Sequence, residues 1–195
     1  MSFVYIVRSN FTRPDLEEQW NAWYGGPKLA EMMTHPLFLS GQRYRAADLD
    51  RSIRYLAVWV VESPEAFTTP EYRSTWGFVE WTPYIADWSR NLYRGPEEDV
   101  SDLLDVSPDG ALYFAAFDGV PEAEAPSRLE LLRAERPDVL WMGVAGLDRS
   151  CPAVGVRRLD ADVKPEPLRS GLGGGIRESV YRPITDRRRA KRAAG

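Results

Sequence analysis

Residues 54–62 read RYLAVWVVE, and residues 63–67 continue as SPEAF. Side chains of a strand project alternately to opposite faces. Leu56, Val58 and Val60 therefore share one side, and Tyr55, Ala57, Trp59 and Val61 share the other. Ser63-Pro64 stops the strand and starts a helix, with Ser at the N-cap and Pro at the first helical position. Neither face of this strand is polar, so both faces must be covered. Helices can cover one, and a second sheet is expected opposite the Tyr and Trp side chains.

The flanking segments complete a unit around this strand. Residues 37–46, LFLSGQRYRA, predict a strand with Phe38, Ser40, Gln42 and Tyr44 on one face and Leu39, Gly41, Arg43 and Arg45 on the other; the turn material AADLDRS follows it. Residues 3–9 predict a first strand. Pro14-Asp15 opens a helix whose Leu16, Trp20 and Trp23 recur at helical spacing. Gly25-Gly26-Pro27 interrupts that helix, and a shorter piece from Lys28 to Thr34 leads to His35-Pro36. After Ser63 a helical stretch runs to Trp88 with a break at Pro83, and residues 89–94 form a closing strand. The order is β-α-β-β-α-β, the ferredoxin-like unit.

The second part of the chain repeats the first loosely. Residues 112–118, LYFAAFD, echo residues 4–10, VYIVRSN, with Tyr113 in register with Tyr5. A helix at 127–135 and strands at 139–147, 153–159 and 176–184 follow. Residues 160–175 are rich in Pro and Gly and read as loop, so the second unit lacks one helix. The expectation is an α+β chain of two ferredoxin-like halves, the second degenerate, with antiparallel sheets packed as an α/β barrel and helices outside. The sheets would close around a small aromatic-lined cavity. The parts are 1–94, an acidic linker 95–109, 110–186, and a basic tail 187–195.

Composition narrows the function classes. The chain has 195 residues, 44% of them hydrophobic, and a formal net charge of −4, which does not favour nucleic acid. The cluster Arg187, Arg188, Arg189, Lys191 and Arg192 reads as a solvated tail. One cysteine, Cys151, allows no internal disulfide and suggests a reducing compartment. The opening residues MSFVYIVRSN lack a basic leader, and no apolar run reaches the roughly 18 residues of a membrane span. A cytoplasmic protein is expected. Seven Trp and nine Tyr are more than a small core needs, and suit a pocket with apolar walls and polar handles.

Trp23-Tyr24, Pro36-Leu37-Phe38, Gly41-Gln42-Arg43-Tyr44-Arg45, Tyr55-Leu56-Ala57-Val58-Trp59 and Glu62-Ser63-Pro64-Glu65-Ala66-Phe67 carry a resemblance to the dimeric α/β-barrel superfamily. In particular the chain resembles EthD-like and related uncharacterised bacterial families, over residues 3–94 and more loosely over 111–184. The resemblance implies a sheet-on-sheet barrel, a homodimer, and a pocket for a small hydrophobic or aromatic ligand. Superfamily members include muconolactone isomerases, cofactor-free quinone-forming monooxygenases, aromatic polyketide cyclases and haem-binding enzymes, so the fold leaves the chemistry open. Relatives commonly place a His after the Trp-Tyr pair. Lys28 stands there in this chain, and the single His, His35, comes seven residues later.

The candidate catalytic residues follow. His35 is the acid/base candidate, against the alternative of a helix-end histidine interacting with the last carbonyls. Lys28 would act if desolvated by Trp23 and Tyr24; otherwise it is a solvated lysine. Tyr44 and Arg43 would stabilise an enolate oxygen, unless they serve packing and solvent. Trp23, Tyr24, Tyr5, Trp59, Trp76 and Tyr113 would hold the ligand's rings, although inter-sheet packing and an amphipathic helix explain Trp59 and Trp76 as well. The run Ser170-Gly-Leu-Gly-Gly-Gly-Ile lacks the Lys-Ser/Thr of a phosphate loop and reads as a flexible connection. No Cys and His set for a metal is present, and haem on His35 ranks low, so no cofactor is expected. The function expected is cofactor-independent proton-transfer chemistry (isomerase, cyclase or lyase) on an aromatic or polyketide-like molecule. The alternatives are a non-catalytic binding or carrier protein and a cofactor-free monooxygenase.

Overall fold

The computed structural model describes residues 2–48, 53–161, 163–169 and 171–191. The elements that build the barrel wall are β1 (Phe3–Phe11), β2 (Phe38–Ala46), β3 (Tyr55–Val61), β4 (Ile85–Arg94), β5 (Ala111–Ala116), β6 (Leu140–Leu147), β7 (Ala153–Leu159) and β8 (Arg177–Pro183). Their order is β3-β1-β4-β6-β7-β5-β8-β2, and β2 pairs with β3 to close the ring. All pairings are antiparallel. Each half contributes four strands in ferredoxin-like order, and the halves meet at the β4–β6 and β2–β8 seams. The barrel therefore closes within one chain.

Helices lie outside the wall. α1 (Glu17–Trp23) continues through a π-helical turn, Tyr24–Lys28, into α2 (Leu29–Met32). The Gly25-Gly26-Pro27 interruption thus widens the helix by one residue instead of breaking it, because Pro27 has no N–H to give. Helix α3 is short, Pro70–Thr75, with Thr69 accepting a capping bond from the Tyr72 N–H. The expected long helix to Trp88 does not form. Gly77 adopts a φ of +98°, and a 3-10 turn at Val79–Tyr84 hands the chain straight to β4, which already contains Trp88. In the second half, α4 (Ala125–Glu135) covers the wall, and loop residues between β7 and β8 replace the missing helix. No helix among the described residues is long and apolar enough to cross a membrane.

The aromatic side of β3 faces the helices, not the second sheet. Tyr5, Val7, Tyr55, Trp59 and Leu92 pack with Trp20, Tyr24, Met32 and Tyr72 in one buried layer. The aliphatic side, Leu56, Val58 and Val60, points into the barrel with Val4, Ile6, Leu112, Phe114, Val154 and Val156. The interior is thereby filled, and the expected cavity between the sheets is replaced by packed side chains. Phe38 also changes face. The register shifts between Phe38 and Ser40, so a bulge at Leu39 turns Phe38 toward the helices and leaves Ser40, Gln42 and Tyr44 inward.

The acidic linker and basic tail pack together. Val100, Leu104 and Val106 are buried against the barrel end. Gln42 donates to the Val106 carbonyl, and Tyr44 donates to that of Leu104. The tail forms β9 (Arg188–Arg189) beside β2, and Arg187 donates to the Leu104 carbonyl, Ser40 and Tyr44. The solvated tail expected from composition is corrected at Arg187, which meets buried acceptors, and at Arg189, which reaches linker carboxylates, while Arg188 and Lys191 are exposed; Arg192 lies outside the described residues.

Candidate functional site

The aromatic layer between the first sheet and its helices contains a narrow cleft. Tyr5, Val7 and Trp59 form its floor, Tyr24, Lys28 and Met32 one wall, and Tyr72, Trp76, Phe78 and Trp88 the other. Its free space is about 30 Å³, room for one water-sized molecule. Alternation on the strands supplies the floor. Tyr5 pairs with Trp59 on β3 and Leu92 on β4, which sets Arg90 and Trp88 on the same face one and two steps away.

Trp59 is held flat against β2. A Cβ on Gly41 would lie 2.3 Å from Trp59 Cε3 and 2.6 Å from Cζ3. Only glycine permits this contact. The indole also lines the cleft. Its Nε1–H is buried and has no hydrogen-bond partner. A buried, unpaired donor costs about 1–3 kcal/mol, so a ligand oxygen placed there would be strongly rewarded.

Other donors converge on the same space. The Tyr5 and Tyr72 hydroxyls are 3.3 Å apart. Burial first, and then Tyr72, push the Tyr5 phenol well above its ordinary pKa. Tyr24 is pushed up to about 12 by burial, with Arg43 pulling the other way. Both stay protonated at neutral pH and donate. Arg90 borders the cleft through Trp76 and Trp88, hydrogen-bonded to Asp148. Burial disfavours its charge, but the Tyr72 and Tyr5 hydroxyls outweigh that and raise its pKa. The Arg90 guanidinium lies 4.6 Å from the Trp76 ring and 5.7 Å from that of Trp88. These two indoles stack on each other and remain 47% and 39% exposed, closing the cleft from outside.

The structure gathers part of the expected set. Tyr5, Tyr24, Lys28, Trp59 and Trp76 line the cleft. Lys28 is buried and donates to Glu31 and to the Thr75 carbonyl. His35 is one layer away: its Nε2 is 3.0 Å from Thr75 Oγ1, its ring packs edge-on against Phe38 and Tyr72, and Nδ1 is unpartnered. Burial, with Lys28 adding to it, lowers its pKa. Arg43 stands behind Tyr24, 4.1 Å from the ring centre. Trp23 packs on Tyr24 and Trp81 outside the cleft. Tyr44 lies inside the barrel on Gln42 and Leu104, and Tyr113 belongs to the other half, bonded to Glu178. Tyr72, Phe78 and Trp88 were missed because 64–88 reads as helical with a break at Pro83, and Arg90 because no site role is predicted for the strand at 89–94. The Thr69-Pro70 start and the alternation Trp88, Arg90, Leu92 were the signals available.

Among the described residues no three His, Cys, Asp or Glu side chains come together to hold a metal ion. No protein-family model matches the sequence, and neither does any curated protein. Solved structures share the fold. An anthrone oxidase-like protein matches with a TM-score of 0.63 at 13% identity, covering 100% of this chain and 96% of that one. A proposed monooxygenase from Fusobacterium nucleatum matches at 0.54 and 9%, covering 97% and 95%. A proposed chlorite dismutase matches at 0.52 and 10%, covering 94% of each chain. These similarities establish the barrel of ferredoxin-like halves.

Proposed function

We propose that this chain is a cofactor-independent enzyme that binds a small planar aromatic or polyketide-like molecule in the cleft as its enolate or phenolate. The observation that carries this reading is the meeting of the Tyr5 and Tyr72 hydroxyls in one aromatic-walled space that Trp59 also lines, with the Arg90 guanidinium against its Trp76 and Trp88 wall. Such donors stabilise negative charge developing on an oxygen where water is excluded. His35 does not reach this space, so the cleft acts by stabilising the ligand's anion. A ring fills far more than 30 Å³, so it enters only when Trp76 and Trp88 swing aside.

The stabilised carbanion can be reprotonated elsewhere, which is isomerase or cyclase chemistry. It can also reduce dioxygen. An anthrone methylene would then become a carbonyl, with one oxygen atom entering the ring and the other leaving as water. The likeness to an anthrone oxidase-like protein and a proposed monooxygenase supports the second course. The test is oxygen uptake with an anthrone, followed by identification of the quinone. Tyr72→Phe, Arg90→Met and Trp59→Phe are each expected to lower kcat/KM by about ten- to hundredfold, the scale of one lost charge-stabilising donor. A binding or carrier protein is the second reading, favoured by the position of the only histidine outside the cleft. Tight binding of aromatic ligands with neither oxygen uptake nor isomerisation would establish it and sink the enzyme.

A further inference from the structure

Resting on that reading of the cleft, we propose that Arg43 is a positioning residue: a buried cation that acts through Tyr24 and makes the cleft select the ionised form of a phenolic ligand. Arg43 sits on β2, 1% exposed, facing the helices. Its guanidinium is enclosed by three rings, 4.1 Å from the centre of Tyr24, 4.7 Å from Trp20 and 5.9 Å from Tyr55. The opposite side of this cage is the cleft, because Tyr24 is its wall.

Among the described residues no carboxylate pairs with this charge. Arg43 donates to the Asn21 backbone carbonyl and side-chain oxygen, at 3.2 and 2.9 Å. Glu17, the acid that reaches this layer, accepts from Tyr55 and lies 3.7 Å from Arg54. The other two cations beside the cleft are each paired, Lys28 with Glu31 and Arg90 with Asp148. Thr185 meets Arg43 only at the backbone N–H.

An uncompensated buried cation is costly, and cation–π contact offsets only part of the cost. A methionine or leucine would fill the same cage without that penalty. What the charge supplies is a fixed positive potential behind the cleft wall, in a layer from which water is excluded. An anion bound against Tyr24 lowers its energy there, and a neutral phenol does not. Burial pulls the Arg43 pKa down to about 10, so the charge persists at neutral pH.

The experiment uses the full chain and 4-nitrophenol, whose ionised form is yellow. Titrating the bound probe against pH should show its pKa lowered by about one unit, a tenfold preference for the anion. Arg43→Met should reduce the preference severalfold while still binding the neutral isostere nitrobenzene, and Arg43→Lys should restore part of it. In the unmodified protein the Arg43 Nε resonance should move on adding nitrophenolate and stay still with nitrobenzene at equal occupancy. This readout holds even where Arg43→Met fails to fold. A folded Arg43→Met that keeps the preference, or an unmoved resonance, overturns the role of Arg43 alone. Failure of the unmodified protein to bind either probe overturns the cleft and this proposal with it.

Discussion

Two indoles rest on two glycines at related places in the two halves, and this contact decides both stability and the cleft. Trp59 lies over Gly41 and Trp141 over Gly155, and in each pair an added Cβ would meet the ring at 2.3 Å. The rings must then tilt away, an overpacking cost of about 1–3 kcal/mol. Gly41→Ala and Gly155→Ala should therefore lower the urea midpoint alike. Only Gly41→Ala should also weaken aromatic ligands, because Trp59 carries the cleft's unpartnered N–H. Equal ligand affinity in the two variants would separate Trp59 from the site. The sequence shows the alternation of residues 55–61 plainly, but not which side faces inward. Large aromatics suggested the inter-sheet side, whereas on β3 that side carries Leu56, Val58 and Val60, which share the interior with Phe114 and Tyr44. The Phe38 face was illegible for a smaller reason: a one-residue bulge carries no composition signal.

At the scale of elements, the linker and tail act together as a clasp over one barrel end. Arg187 makes two bonds to the Leu104 carbonyl and one each to Ser40 and Tyr44, all geometry of a planar fork. Arg189 reaches Asp102 and Asp105 at the exposed surface, where ion pairs contribute little. Arg187→Ala should cost about 2 kcal/mol by denaturant titration, since charge-assisted bonds to partly buried acceptors are lost. Arg187→Lys should recover little of it, and Arg189→Ala should be nearly neutral. Amide exchange in residues 100–106 should quicken in Arg187→Ala and Arg187→Lys but not in Arg189→Ala. Equal losses in Arg187→Ala and Arg189→Ala, with Arg187→Lys unaffected, would instead point to simple charge attraction between tail and linker. Composition marks both segments as polar and gives no hint of this pairing, because Val100, Leu104 and Val106 are isolated apolar residues spaced among acids. The strands, by contrast, fell within two or three residues of their expected ends wherever β-branched and aromatic residues alternate.

For the whole molecule, the decisive feature is that one chain completes a ring that two sheets must share. The internal echo of Tyr5 by Tyr113 pointed to duplication, and the pairing of β4 with β6 and β2 with β8 completes it. The sheet face through which such halves would associate is consumed inside the chain, so a homodimer would have to form through the outer surfaces. Arg8 of β1 ties the halves together by a forked bond to Asp118, at 2.5 and 2.8 Å, with the Arg side chain 8% exposed. Asp118→Ala leaves that guanidinium buried and unpaired, which should cost about 3 kcal/mol or more. The double variant Arg8→Met, Asp118→Leu removes both charges and should recover much of the loss. Burial pushes the Asp118 carboxyl up, yet the Arg8 hydrogen bonds and charge hold it below its ordinary value of 3.8. A depressed pKa contributes stability that is present above the unfolded value and lost as pH falls through it. The unmodified protein should thus lose stability below about pH 4, and Asp118→Asn should lack that component of the acid limb. If Asp118→Ala and the double variant unfold together, the pair acts only by filling space; if the single variant unfolds earlier, the charge left unpaired at the seam is what opens the ring.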